Sequence, residues 1–183
     1  PRAGRFINDF LDGWLQLREI DATTPDEKLY PEFDDQLRQA MLAETRLFFL
    51  ELLDRNLGVR HFIKSDFTFL NRRLARHYGI DGVVGEKMRL VDLPEDSVRG
   101  GLMTQASILK VTANGTLTSP VKRGNFVLTS LLGTPPNPPP PTIEAIEPDI
   151  RGAVTIRETL AKHRNVQSCA NCHQHIDPPG FAL

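Results

Sequence analysis

Apolar side chains recur at helical spacing in three stretches of the first half of the chain. The first stretch predicts an amphipathic helix over about 4–18. A longer stripe predicts a second helix over about 34–56, and two aspartates lie at its start, where a helix favours negative charge. A third helix is predicted over about 67–78, with Gly79 as its C-cap.

The second half of the chain has a more mixed pattern. Residues 87–93 alternate enough to predict a short strand, whereas residues 102–111 are apolar and fit either a strand or a helix. Thr118-Ser119-Pro120 predicts the start of a helix that ends at Gly133, because hydroxyl caps and an early proline are typical of helix starts. The proline run at 135–141 predicts an extended polyproline segment, which we interpret as a stiff spacer.

A last helix is predicted over about 155–164. Together these patterns predict a mainly α fold with little strand. We expect a helical N-terminal domain, 1–85, and a small mixed, mostly helical domain, 86–183, because the turn-like stretch near residue 85 separates the two patterns.

The composition is that of an ordinary globular protein, with 40% hydrophobic and 25% charged residues. Lys and Arg (22) balance Asp and Glu (23), so the chain has no electrostatic footprint for nucleic acid. No apolar run approaches the length of a transmembrane segment. Both ends look cut, and we expect the chain to be a piece of a longer protein.

The strongest chemical signal is the run Cys169-Ala170-Asn171-Cys172-His173, which uses both cysteines of the chain. A C-x-x-C-H run is typical of c-type haem attachment. On one helical turn both sulfurs reach one edge of a porphyrin, and the histidine projects from the same face toward the iron. We therefore predict one covalent haem c, bound through Cys169 and Cys172, with His173 as the proximal iron ligand.

Three other interpretations of the cysteine pair stay open at this point. A structural zinc site would need about four ligands, and the extra donors nearby are His163 and His175. A redox-active dithiol expects a strand before the pair, whereas the preceding segment is predicted to be a helix. A plain disulfide across so short a loop would stabilise the fold little.

The residues after His173 suggest its surroundings. A ligating histidine normally donates its second ring N–H to a carbonyl or carboxylate. We expect that acceptor in a turn at Asp177-Pro178-Pro179, with the rigidly placed carbonyl groups of the prolines as candidates. Ile176 and Phe181 are expected to pack against the porphyrin. Pro179, through this turn, and Phe181 are predicted cofactor-binding residues.

The second axial position of the iron is less well specified. Met103, after a flexible glycine pair that lets the backbone approach closely, is a candidate distal ligand. His163 is a weaker candidate and fits better as a surface or neighbouring histidine. A ligand from outside this piece, or an open position, are alternatives. Lys122, Arg123 and Arg99 are candidate partners for the haem propionates.

Three stretches resemble the large multi-domain cytochromes c typical of planctomycetes and related bacteria, which are known mostly as paired domains of unknown function. The stretches are 69–80, then 99–107 with its continuation to the proline run, and 169–183 with its I-D-P-x-G-F-A-L tail. The resemblance implies a helical domain followed by a haem domain. At Met103 the family more often has leucine.

The predicted function is electron transfer by a c-type cytochrome module. The resemblance and the attachment chemistry imply an exported protein, periplasmic or at the cell surface, with redox partner proteins and other domains of its parent chain. Two alternatives stay open: a haem enzyme with an open sixth iron position that acts on peroxide or a small molecule, and a binding or scaffold module with an auxiliary haem.

Overall fold

The computed structural model describes residues 2–138, 155–165 and 167–182. The chain divides into two compact units, Pro1–Thr118 and Ser119–Leu183. Helices dominate the described residues, and the sheet found among them has two strands, which confirms the mainly α fold. The division into domains 1–85 and 86–183 stays a prediction. The structure places residues 86–118 in the first compact unit.

The first unit begins with the two longest helices predicted for it. Helix α1 (Arg2–Trp14) is shorter than expected, and a 3₁₀ turn, Leu17–Asp21, follows it. Helix α2 (Asp35–Asp54) begins where the Asp34 side chain accepts a hydrogen bond from the Leu37 amide at 2.6 Å. This cap satisfies one of the free amides of the first helical turn.

The prediction of one helix over 67–78 is wrong in its first half. Residues Phe67–Leu70 form strand β1, which pairs antiparallel with β2 (Arg89–Asp92). Aromatic and β-branched side chains favour this extended state, and pairing with a distant strand is not visible in local periodicity. Helix α3 (Arg72–Tyr78) begins only after Asn71, whose side chain caps the Leu74 amide at 2.9 Å.

The ambiguous stretch at 102–111 is helical. A 3₁₀ turn, Leu102–Thr104, leads into helix α4 (Ala106–Val111). The glycine pair before it lies against the chain at 62–65: Gly101 has φ +84°, and a Cβ on it would be 2.8 Å from the Ile63 carbonyl oxygen. Glycine is needed there both for the backbone conformation and for the close approach.

A buried polar network links the elements of the first unit. The Glu44 carboxylate on α2 accepts hydrogen bonds from the Thr68 hydroxyl at 2.6 Å and the Tyr78 hydroxyl at 2.5 Å. The Tyr78 oxygen in turn accepts from the Ala106 amide at 2.7 Å, and the Arg99 guanidinium lies 4.2 Å from the centre of the Tyr78 ring. The network therefore joins α2, β1, α3 and the start of α4.

The second unit contains helix α5 (Pro120–Phe126), which continues as a π-helical turn, Val127–Leu131. Ser119 caps α5 and Gly133 follows with φ +64°, so both predicted ends are confirmed. Helix α6 (Ile156–His163) begins with a reciprocal pair of hydrogen bonds between Thr155 and Glu158. Helix α7 (Gln167–Phe181) carries the C-x-x-C-H run.

Helices α5 and α7 cross at two glycines. A Cβ on Gly124 would overlap the Ile176 carbonyl oxygen, and a Cβ on Gly180 would overlap that of Pro120. Both glycines are buried. The absence of side chains at this crossing allows the two backbones to touch, which sets the position of α7 in the second unit.

Candidate haem-binding site

The three residues of the predicted attachment motif lie on one helix, α7. Cys169 is buried and Cys172 is half-buried, and both are free thiols. At about 100° per residue, Cys169, Cys172 and His173 fall within about one third of the helix circumference. The helical arrangement expected from the spacing is confirmed.

His173 is held by an acidic side chain one turn further along α7. Its Nδ1 lies 2.8 Å from Oδ1 of Asp177. The side chain of His173 is 13% exposed and that of Asp177 is 1% exposed. If Nδ1 donates to the carboxylate, Nε2 is the ring nitrogen that carries a free lone pair. This is the arrangement that a metal-ligating histidine requires.

The expected turn at Asp177-Pro178-Pro179 is wrong, because all three residues lie within α7. The acceptor for His173 does lie in this segment, but it is the Asp177 carboxylate and not a proline carbonyl. The prolines have no N–H, so two carbonyls one turn earlier lose their usual helical partners. The packing of α7 at the glycine crossing and the hydrogen bond between His173 and Asp177 both stabilise the helix, which offsets the loss of these two hydrogen bonds.

Two basic residues of α6 and its C-cap lie near this pair. The ring of His163 meets that of His173 edge to face, with centroids 4.7 Å apart. Burial and the neighbouring His173 lower the pKa of His163, although Asp177 opposes them. Arg164 places a guanidinium nitrogen 3.7 Å from Oδ2 of Asp177, an ion-pair distance that is too long for a hydrogen bond.

A cavity of about 350 Å³ opens beside Cys172. Its lining includes Asn171 and His175 from α7, Leu128 from the π-helical turn, and residues 134–137. π-helical turns occur frequently at functional sites. Pro135 and Pro136, the first prolines of the predicted spacer, help to form the wall of this cavity, and residues 139–141 of that spacer lie outside the described residues.

The two apolar residues predicted to contact the porphyrin have neighbours within the second unit. Ile176 lies at the helix crossing against Gly124. Phe181 is half-buried, and the Arg157 guanidinium lies 4.1 Å from the centre of its ring. Pro179 is half-buried near the end of α7. Porphyrin contacts by Ile176 and Phe181 and a cofactor-binding role of Pro179 stay predictions.

The candidate partners of the propionates lie in different settings. Lys122 is exposed, whereas Arg123 is buried and donates to the Gly180 carbonyl at 3.4 Å. Burial lowers the pKa of Arg123 from its usual value. Arg99 belongs to the first unit, where it donates to the Thr104 carbonyl at 2.7 Å. Propionate binding stays a prediction for all three.

The candidate distal ligand, Met103, is buried in the 3₁₀ turn of the first unit. Its glycine neighbours, expected to let the backbone approach a macrocycle, approach the backbone at 62–65 instead. A role of Met103 at the iron stays a prediction.

The residues around His173 fit a c-type haem in their chemistry. Two free thiols and an imidazole share one helix face, and a buried carboxylate fixes the second nitrogen of that imidazole. Sequence reasoning missed Asp177 itself as the acceptor, although its position four residues after His173 is a helical neighbour.

Two other kinds of site are absent from the described residues. No group of three or more His, Cys, Asp or Glu side chains there could together hold a metal ion. Likewise, no helix in the part of the chain that the structure describes is long and apolar enough to cross a membrane.

Comparison with protein families finds two matching family models. PSCyt3, a protein of unknown function (DUF1588), matches residues 99–183, and PSD4, a protein of unknown function (DUF1592), matches residues 1–80. The chain is similar to both. Domains of these two kinds are found in planctomycete-type cytochrome c proteins. No curated protein and no solved structure matches the chain.

Proposed function

We propose that the chain is a c-type cytochrome module that carries one haem and transfers electrons within an exported multi-domain redox protein. One observation carries the proposal: Cys169, Cys172 and His173 share a helix, and the His173 ring is fixed by the buried Asp177 carboxylate. The similarity to PSCyt3 and PSD4 supports a cytochrome context for the chain.

Attachment would use the two free thiols of α7. Cys169 and Cys172 would each hold the haem by a thioether, formed when the thiol adds across one vinyl double bond. The sulfur would bond to one vinyl carbon and the thiol hydrogen would go to the other, so the addition would need no oxidant and release no atom. Attachment at two points would hold the haem without a deep enclosing pocket.

The other residues of the site position His173 for the iron. A bound haem would supply an iron that changes between the ferrous and ferric states. His173 would bind that iron through Nε2 while Nδ1 donates to Asp177. Attachment of this kind takes place outside the cytoplasmic membrane, which supports a periplasmic or cell-surface location for the parent protein.

The experiment is to secrete the full chain in bacteria that mature c-type cytochromes and to measure its intact mass. We expect the mass of one haem to be retained after denaturation. The double variant Cys169→Ala, Cys172→Ala should retain none. The matched control Ser168→Ala, exposed on the same helix but outside the motif, should retain it. A secreted, folded wild-type chain without haem would overturn the proposal.

Spectra of the haem-loaded chain separate electron transfer from the enzyme alternative. A low-spin ferric spectrum that cyanide and carbon monoxide leave unchanged supports a carrier with two axial ligands. A high-spin spectrum that shifts with those ligands supports an open sixth position. The variant Met103→Leu tests the distal candidate, because loss of a sulfur ligand would change the low-spin spectrum.

A further inference from the structure

The partner of His173 differs in charge from the one that the sequence led us to expect. A proline carbonyl would accept the Nδ1 hydrogen as a neutral dipole. Instead, Oδ1 of Asp177 lies 2.8 Å from Nδ1, and the Asp177 side chain is 1% exposed. A hydrogen bond to an ionised acceptor is roughly twice as strong as a neutral one, and low local dielectric strengthens it further.

We propose that Asp177 is a positioning residue that fixes the tautomer of His173 and keeps the haem iron toward its ferric state. The inference rests on the proposed function, because it assigns a role at the same site. It goes beyond that function because it predicts the direction of an effect on the reduction potential. The potential should be lower than that of a haem whose histidine donates to a neutral carbonyl.

His173 and Asp177 are one turn apart on the same helix, so the pair is set by the backbone of α7 and not by a mobile loop. The crossing of α5 and α7 at Gly124 and Gly180 holds this part of α7 in place. A ring held in this way offers the same nitrogen, Nε2, to a ligand at all times.

The negative charge of the Asp177 carboxylate affects how strongly His173 would bind iron. A carboxylate that accepts the Nδ1 hydrogen draws it away from the ring and increases the electron density on Nε2. A more electron-rich ligand stabilises ferric iron more than ferrous iron, which lowers the reduction potential. Arg164 faces the other oxygen of Asp177 at 3.7 Å, so its positive charge weakens this effect without contacting His173 by any described bond.

A purely structural role of Asp177 is the alternative. The side chain could stabilise α7 through its pair with His173 and its contact with Arg164 and have no influence on the iron. Stability measurements would not distinguish the two roles. The tautomer of His173 and the reduction potential do distinguish them.

The first measurement uses the haem-free wild-type chain. Nitrogen-15 NMR of the imidazole nitrogens, recorded at a pH where the ring is neutral, should show the hydrogen on Nδ1 and a free lone pair on Nε2. The opposite tautomer would overturn the inference. This readout needs no haem and no variant, so it decides even if substitutions of Asp177 fail to fold.

The second measurement uses the haem-loaded chain in redox titrations. Asp177→Asn keeps the size of the side chain and removes its charge. Loss of such a partner typically weakens a metal site by ~10–100-fold. If the substitution weakens binding to ferric iron about tenfold more than binding to ferrous iron, the potential rises by about 59 mV for one electron. Arg164→Gln should shift the potential in the opposite direction and by less.

The outcomes separate the inference from the proposed function. If no haem attaches to the wild-type chain, the proposed function fails. If haem attaches and Asp177→Asn leaves the potential unchanged, the proposed function stands and the inference fails. A potential that falls in Asp177→Asn would also overturn it, as would shifts of the same sign in both variants.

Discussion

We expect Glu44 to make the stability of the first unit depend on pH. Its side chain is fully buried on α2, and burial raises its pKa to about 7, although hydrogen bonds from Thr68 and Tyr78 and the charge of Arg99 oppose the increase. In the unfolded chain the group returns to its ordinary pKa of 4.5. The substitution Glu44→Gln keeps the shape of the side chain and removes the titration.

The direction of the pH dependence follows from whether the folded or the unfolded chain binds the Glu44 proton more tightly. Between about pH 4.5 and pH 7 the folded chain keeps Glu44 protonated and the unfolded chain does not. The free energy of unfolding therefore falls as pH rises through this window. At ~1.36 kcal/mol per pH unit, the contribution of Glu44 falls by about 3 kcal/mol. This loss should be absent in Glu44→Gln.

The assay is urea unfolding of the full haem-free chain at pH 5 and pH 8. Trp14 is the single tryptophan and lies 5.6 Å, centroid to centroid, from the Phe62 ring, so its fluorescence reports on the first unit. The burial that lowers the pKa of His77 gives a pH dependence of opposite sign, but both proteins share it. It therefore cancels in the difference between wild type and variant.

We expect the variant to gain about 3 kcal/mol relative to wild type between pH 5 and pH 8. Glu51→Gln is the matched control, because Glu51 lies on the same helix with its side chain 25% exposed. That control should follow the wild-type pH dependence. Equal pH dependence of Glu44→Gln and wild type would refute the reasoning that burial holds the Glu44 proton.

Three further substitutions, with Gly13→Ala as a control for the first, test packing and caps. Gly124→Ala should destabilise the second unit by ~1–3 kcal/mol or more, because the added Cβ would overlap the backbone of α7. The control Gly13→Ala has open space around its Cβ and should be neutral or stabilising. Thermal melts followed by circular dichroism measure both variants. Thr155→Ala should cost ~1 kcal/mol and speed hydrogen exchange at the start of α6. Asn71→Ala should cost a similar ~1 kcal/mol in urea unfolding. The close helix crossing would be contradicted if Gly124→Ala were as stable as wild type. The caps would be contradicted if Thr155→Ala left hydrogen exchange unchanged or Asn71→Ala left urea unfolding unchanged.

The helices with local signals were predictable from the sequence. The hydroxyl and proline at Ser119 and Pro120 begin α5, and Gly133 follows its π-helical extension, because capping depends on residues within one turn. The same holds for α6 (Ile156–His163), which Thr155 caps. Strand β1 was missed because its partner lies about twenty residues further along the chain.

The site was predicted in part for a similar reason. The spacing of Cys169, Cys172 and His173 was enough to predict their shared helix face. The helix was not expected to continue through Pro178 and Pro179, because prolines usually end helices. Tertiary contacts at Gly124 and Gly180 favour that continuation, and only the continued helix places Asp177 beside His173.

Every role proposed for α7 depends on a covalently bound haem. Intact mass spectrometry of the full chain, secreted by bacteria that mature c-type cytochromes, is the decisive measurement. We expect one haem per chain that denaturation does not remove and that is absent from the variant without Cys169 and Cys172. A folded chain with no added mass, from cells that mature another c-type cytochrome normally, would contradict it.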